Sequence, residues 1–317
     1  MTTDDRTPPS ESVRIDGTVM FAAFDGWNDA GNAASGAVLH LVEEWHANEH
    51  YRLDPEDYHD FQVNRPVLTH RGLSERSIAW PITAISTATA PVTGRQVALV
   101  HGIEPSMRWK RYCAEIIATA QELGVTTIVV VGALLADVPH TRPVPVSLFA
   151  DDADLQDRFG IESSDYEGPI GIVGVLQDMA AHAGLDAFAL WAAVPHYVAQ
   201  SPAPKATLAI LRRIEDLLGE PIPADALAQD SEAWQRGVDD LAREDEQIAE
   251  YVQQLEAVKD TADLPEASGD AIAEEFERFL RRRGFQQRGG ARGQDSSGRA
   301  LPSDSGSAIP EDPSGDD

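Results

Sequence analysis

Four apolar runs constrain what this 317-residue chain can become: Val19 to Phe24, Gln96 to Val100, Thr126 to Val131 and Ala187 to Val194. They are rich in β-branched residues or unbroken in hydrophobicity, so each reads as a strand that needs cover on both faces. Helical patterns lie between them, over about Asp29 to Trp45, Ser106 to Leu123 with Gly124 as its stop, and Val173 to Ala183 with Gly184 as its stop. This alternation predicts an α/β fold with a mostly parallel sheet and flanking helices. Within Tyr51 to Thr89, Gln62-Val63, Val67-Leu68 and Ser77 to Ile85 read as extra strands, antiparallel ones.

The character changes from Ala224. Trp234, Val238, Leu241, Ile248, Val252 and Leu255 recur at spacings of three, four and seven, which predicts one long amphipathic helix with Asp245 interrupting its seam. After Asp263-Leu264-Pro265 a second helix is expected from about Ala267 to Arg283, with Ile272, Phe276, Phe279 and Leu280 on one face, completing a C-terminal helical hairpin. The domain plan is therefore a disordered tail over 1–16, an α/β domain over 17–222, an acidic helical hairpin over 223–283 and a second disordered tail over 284–317. Between Asp225 and Leu280 there are 17 acidic and 4 basic residues, which reads as a solvated helical face or a docking surface for a basic partner.

Charge and cysteine content exclude several classes. A net charge of -28 repels nucleic-acid phosphates and anionic lipid heads, so neither nucleic acid nor membrane is an expected partner. Cys113 is the only cysteine, so there is no intrachain disulfide and no thiolate metal cluster. Its place inside a helix suits burial better than nucleophilic chemistry. The polar N-terminus lacks a signal-peptide pattern and no apolar run reaches the ~18 residues of a bilayer span, so a soluble cytoplasmic protein is expected.

Chemistry-bearing residues gather where strands end. Val19 to Phe24 runs into Asp25-Gly26-Trp27-Asn28-Asp29-Ala30-Gly31, the next strand into His101-Gly102-Ile103-Glu104-Pro105, the next into Asp137 to Pro143, and the last into Pro195-His196-Tyr197. If the strands are parallel, these loops share the carboxyl edge of the sheet, where α/β folds bind ligands. The candidate ligand or interface residues are Asp25, Trp27, Asn28, Asp29, His101, Glu104, Asp137, His140, Arg142 and His196, a set able to transfer protons, bind anions or hold subunits together. Each has a structural alternative: Asp29 as a helix cap, Glu104 at the positive end of the helix that follows it, His101 as a core histidine, Trp27 as a packing aromatic. Prolines at 139, 143 and 145 stiffen the loop carrying His140 and Arg142, as a ligand site, a connector or a subunit edge would require.

Phosphate-loop, nucleophile-elbow, zincin and dinucleotide motifs are absent, histidine spacing fits no local metal site, and catalytic residues stay unassigned. No cofactor and no metal are expected.

On Phe24 to Gly31, Gly102-Ile103-Glu104-Pro105, Gly132 to Pro143, Trp191 to Val198 and Leu264 to Asp270, the sequence resembles the proteasome assembly chaperone 2 family, in particular its actinobacterial branch. The likeness runs roughly from Gly17 to Arg283. It implies an α/β domain similar to the nucleoside phosphorylase fold with a helical extension, a homo-oligomer with three copies as the working count, and a role in protein assembly, known for relatives that help build proteasomes. Archaeal relatives dock on proteasome rings through a terminal hydrophobic residue, a tyrosine and any last residue. This chain ends Gly315-Asp316-Asp317, so that anchor is not expected. Some members carry a carboxylate–amine ligase label, for which the sequence offers no nucleotide-binding motif. Two functions follow: a non-catalytic oligomeric assembly or interaction factor that partners itself and another protein, or a small-molecule binder or enzyme using the strand-end crevice.

Overall fold

The structure is a computed structural model that describes residues 14–71, 75–164 and 166–261. In chain order its elements are β1 (Thr18–Asp25), a 3-10 turn (Ala30–Asn32), α1 (Ala33–Glu44), β2 (Asn48–Leu53), α2 (Pro55–Tyr58), β3 (Val67–Arg71) and β4 (Glu75–Ala79). Then come β5 (Thr83–Thr89), β6 (Gln96–Ile103), α3 (Trp109–Glu122), β7 (Val125–Ala136), β8 (Val146–Phe149), α4 (Ala153–Phe159) and α5 (Ile172–His182). The remainder is β9 (Asp186–Pro195), a 3-10 turn (His196–Val198), α6 (Pro204–Leu218), α7 (Asp225–Glu244) and α8 (Glu246–Thr261).

Seven strands form one sheet in the order β2-β5-β6-β1-β7-β9-β8. The four apolar runs are its centre: β6, β1, β7 and β9 pair in parallel, and antiparallel pairing occurs only where β2, β5 and β8 extend the sheet outward. The lack of polar alternation has its cause here. Along β1, Val19, Phe21 and Ala23 pack on one face with α1 and α6, while Met20, Ala22 and Phe24 pack on the other with α3 and α5. All six are buried, so either face would be penalised for a polar side chain. Tyr112 of α3 lies fully buried in the second face with its hydroxyl 2.7 Å from Thr83 Oγ1, and its neighbour Cys113 is buried with its thiol pushed up to about 12 by burial.

Several sequence expectations need revision. Ordered packing reaches upstream of Gly17: Ile15 is fully buried and its N–H donates to Leu217 O at 3.0 Å. Gln62-Val63 lies in a turn, and Ser77 to Ile85 is two strands of different sheets, β4 pairing with β3 in a separate two-stranded ribbon and β5 joining the main sheet. β8, α4 and α6 were not anticipated. The long C-terminal helix breaks at Asp245, whose backbone turns extended (φ -119, ψ 108) and whose carboxylate accepts from Gln247 N at 2.9 Å, ending α7 and starting α8. Leu241, counted in the apolar seam, is 52% exposed, whereas Val238 and Val252 are buried. The helix expected at 267–283, the tail at 284–317 and all but Arg14, Ile15 and Asp16 of the N-terminal tail lie outside the described residues.

Candidate functional site

The carboxyl edge of the sheet is stepped. Ala23 of β1 is level with Val131 of β7, so Asp25, at the end of β1, is level with Ala133. β7 and β9 run on together to Ala136 and Pro195. Asp137 therefore stands four residues beyond the level of Asp25, about 13 Å further along the strand direction at ~3.3 Å per residue. The ten candidate residues are not one crevice: Asp25, Trp27, Asn28, Asp29, His101 and Glu104 share the lower step, and Asp137, His140, Arg142 and His196 share the upper one.

On the lower step, Gly26 (φ 138) and Gly31 (φ 62) adopt backbone that other residues rarely take, and they fold the chain after β1 back over β7, where Ala133 N donates to Asn28 O at 2.8 Å. Asp29 caps the helix after it, as one of its two alternatives held. Its Oδ1 accepts from Ala34 N at 2.7 Å and its Oδ2 from Ser35 N at 3.2 Å, at the start of α1. Burial raises its carboxyl to about 6 against those hydrogen bonds, which lower it. Glu104 also serves a helix, but not the one that follows it in sequence: Oε1 accepts from Ile172 N at 3.0 Å, the first residue of α5, and from Asn28 Nδ2 at 3.1 Å. A Cβ on Gly171 would fall inside the Asn28 amide, so that corner closes only around glycine. Asp25 stays exposed and accepts from Asn32 Nδ2 at 3.1 Å. His101 is half-buried, with burial holding its imidazole below the usual range while Glu49 opposes the shift. Trp27 is half-buried on the same corner.

The upper step is tied to the C-terminal helices. His140 is buried between Tyr197 and Asp239 of α7: its N–H donates to Tyr197 Oη at 2.7 Å, Nδ1 lies 2.7 Å from the same hydroxyl, and Nε2 lies 3.0 Å from Asp239 Oδ1. The tautomer carrying its proton on Nε2 satisfies all three contacts, with Tyr197 O–H donating to Nδ1. Burial pushes the Tyr197 hydroxyl up to about 12. Arg142 donates to Glu256 of α8 at 3.2 Å, and Thr141 donates to the same carboxylate. Tyr251 of α8 donates to Asp137 Oδ1 at 2.6 Å; His196 Nδ1 lies 2.9 Å from that oxygen, ion-pair distance but off the hydrogen-bond line. Lys205 donates to His140 O and to Gln235 Oε1 of α7 at 2.8 Å, with burial lowering its ammonium. The stiff Asp137 to Pro145 loop is thus a connector from β7 to β8 that also anchors α7 and α8. Tyr197, Asp239, Tyr251 and Glu256 were missed as partners because their link to this loop spans 57 to 115 positions and leaves no local pattern.

Two concavities adjoin the lower step. A cleft of about 900 Å³ opens between α1 and α7, with Asp25, Glu43, His101, Trp80, Asp230 and Trp234 in its walls. A pocket of about 300 Å³ lies behind Asn28, lined by Asp151, Tyr166, Asp178 and Trp191 among others, and burial raises the Asp151 carboxyl. Among the described residues no group of three or more histidine, cysteine or acidic side chains is placed to hold a metal, and no helix is long and apolar enough to cross a membrane.

No curated protein matches the chain. Among solved structures, a PAC2 family protein from Streptomyces avermitilis is 55% identical with a TM-score of 0.70, covering 74% of this chain and 99% of its own. The proteasome-assembly chaperone homologue of Mycobacterium tuberculosis is 48% identical with a TM-score of 0.68, again covering 74% of this chain and 99% of its own. An archaeal proteasome activator from Pyrococcus furiosus shares the fold at 17% identity and a TM-score of 0.54, over 74% of this chain and 96% of its own. The PAC2 family profile matches residues 23–242, which include the lower step, the upper step and all of the main sheet after the opening residues of β1. With that profile over more than half its length, and with relatives at 48 and 55% identity, this chain belongs to the PAC2 family.

Proposed function

We propose that the protein is a non-catalytic, oligomeric assembly or interaction factor of the cytoplasm, binding copies of itself and another protein. One observation carries this reading: six of the polar residues that a strand-end enzyme would aim at a substrate are bonded to the chain's own framework. Asp29 starts α1, Glu104 starts α5 and fixes Asn28, and Asp137, His140 and Arg142 hold α7 and α8. Groups used this way are poor candidates for proton transfer, because releasing them to react would unpair buried partners. The likeness to a protein named a proteasome-assembly chaperone homologue supports an assembly role and suggests proteasome subunits as the first partners to try.

The test is reconstitution. Proteasome core subunits of the same cell, mixed with and without the full chain, should assemble faster with it and form a transient complex visible by native mass spectrometry. An unchanged assembly rate with no complex refutes the chaperone role.

A second reading, a small-molecule binder, is favoured by the pocket behind Asn28, where two acids, Asp151 and Asp178, and three aromatic residues, Phe149, Tyr166 and Trp191, line about 300 Å³. Thermal shift against nucleosides, nucleotides and amino acids tests it. If none raises the melting temperature, that reading fails.

A further inference from the structure

We propose that the β3–β4 ribbon is a docking arm, and that its seat is the cleft between α1 and α7 on a second copy of this chain. The inference rests on the self-association in the reading above and names the surfaces that perform it.

The ribbon makes little sense alone. β3 pairs with β4 and, among the described strands, with nothing else. Each described side chain from Val67 to His70 and from Arg76 to Trp80 is exposed; at the foot of β4, Trp80 meets the Phe61 ring at 5.0 Å between centroids. Yet at its open end it exposes four apolar side chains, Val67, Leu68, Ile78 and Ala79. Leu68 and Ile78 are register partners and stand side by side on one face, with Ile78 56% exposed, while Val67, 59% exposed, is opposite Ala79 on the other. A lone two-stranded ribbon is marginally stable at best in water, and one that holds an apolar cross-strand pair out on each face gains stability from a contact that covers them.

Charge says what the contact is with. Residues 61–80, the ribbon with the segment that leads into it, contain Arg65, Arg71 and Arg76 against a single acid, Glu75, a net of +2 inside a chain of net charge -28, and the ribbon itself carries +1 of it. The arm is a basic element with exposed apolar pairs on an acidic protein, so any other copy offers it an attractive field. The cleft is the matching concavity. It combines Leu39, Leu227 and Trp234 with the acids Asp25, Glu43 and Asp230, and among the described residues no lysine or arginine lines its walls. Leu39 is 41% exposed there, an apolar side chain on the outer side of α1 that the described chain covers only in part. Trp80, at the foot of β4, stands on the rim of the copy's own cleft, so an arm leaving that rim is placed to lie over a neighbour's cleft. Each copy then offers one arm and one seat.

Because arm and seat are different surfaces, complementation tests the idea. An arm variant, Leu68→Glu with Ile78→Glu, keeps its seat; a seat variant, Leu39→Arg with Asp230→Arg, keeps its arm. All four positions are exposed, so circular dichroism and melting should match the parent; if the arm variant fails to fold, Leu68→Thr with Ile78→Thr replaces it. In sedimentation velocity on the full chain, the parent is expected as an oligomer and each variant alone as a monomer. An equimolar mixture should regain a species of two copies, one arm on one seat. A mixture that stays monomeric overturns the arm–seat pairing. Variants that keep the parent's mass overturn it too while leaving self-association standing through another surface, and a monomeric parent overturns both.

Discussion

Asp29→Asn gives the sharpest test of how the lower step is held. Asp29 carries its carboxylate into a buried site at the start of α1, where burial raises it from the ordinary 3.8 to about 6 despite hydrogen bonds from Ala34 and Ser35. Because the folded value exceeds the unfolded one, the protonated group's stabilising contribution is fully present below about pH 4 and is lost as pH rises through 6. At 1.36 kcal/mol per unit, the full span is about 3 kcal/mol. Roughly 1.4 kcal/mol of it falls between about pH 5 and about pH 8, a window above the isoelectric point near 4.5 where solubility is favoured. Asparagine cannot ionise, so its stability lacks this component. The assay is urea unfolding of parent and variant, followed by helical circular dichroism across that window, with other carboxylates cancelling in the difference. The gap should move by about 1.4 kcal/mol in favour of the variant as pH rises. A flat gap, or one that moves toward the parent, would refute the reasoning, since it would mean that the two N–H donors outweigh burial.

Other substitutions probe the same framework. Glu104→Ala should cost about 2–4 kcal/mol by removing the acceptor of Ile172 N–H and Asn28, whereas Glu104→Gln, which keeps an acceptor oxygen, should cost about 1 kcal/mol; urea midpoints separate them. Gly171→Ala, driving a methyl into the Asn28 amide, should destabilise by about 1–3 kcal/mol in the same assay. Gly237→Ala goes the other way: it lies in α7 with nothing within 4 Å of a new Cβ, and a melting curve should show about 0.5–1 kcal/mol of stabilisation. His140→Ala should cost about 2–4 kcal/mol and speed tryptic cleavage at Arg236 and Arg243, because Tyr197 and Asp239 lose their shared partner.

The lower step was half visible in the chain. Asp29 was legible as a capping acid, and it does satisfy N–H groups in the first turn of α1, though from three residues ahead of the N-cap position, Asn32, because a 3-10 turn intervenes; the need to satisfy those groups is local and leaves a local mark. Glu104 sat before α3 and reads naturally as its partner, yet it caps α5, 68 residues away. Only the sheet order, which sets β6 and the start of α5 around the end of β1, makes that contact possible. The upper step was invisible as a separate place: nothing in Asp137, His140 or His196 reveals that β7 and β9 outrun β1. Leu241 shows the limit of periodicity, since a spacing of three or four selects a helix face but not whether a second element covers it.

What the sequence determined by itself is what depends on near neighbours and on burial: four central strands, their helices, the glycine stops and the acidic surface. Unbroken apolar runs cannot stand against water on either face, so helical cover on both sides follows from the strands alone; α1, α3 and α5 were legible as part of that cover, and α6 was not. Tertiary structure decided the rest: which acid meets which helix, how one expected crevice became two steps, and which apolar elements were left uncovered. Those outcomes depend on pairings between distant residues, and the closure of such long loops is set by global packing, which no local window of residues records.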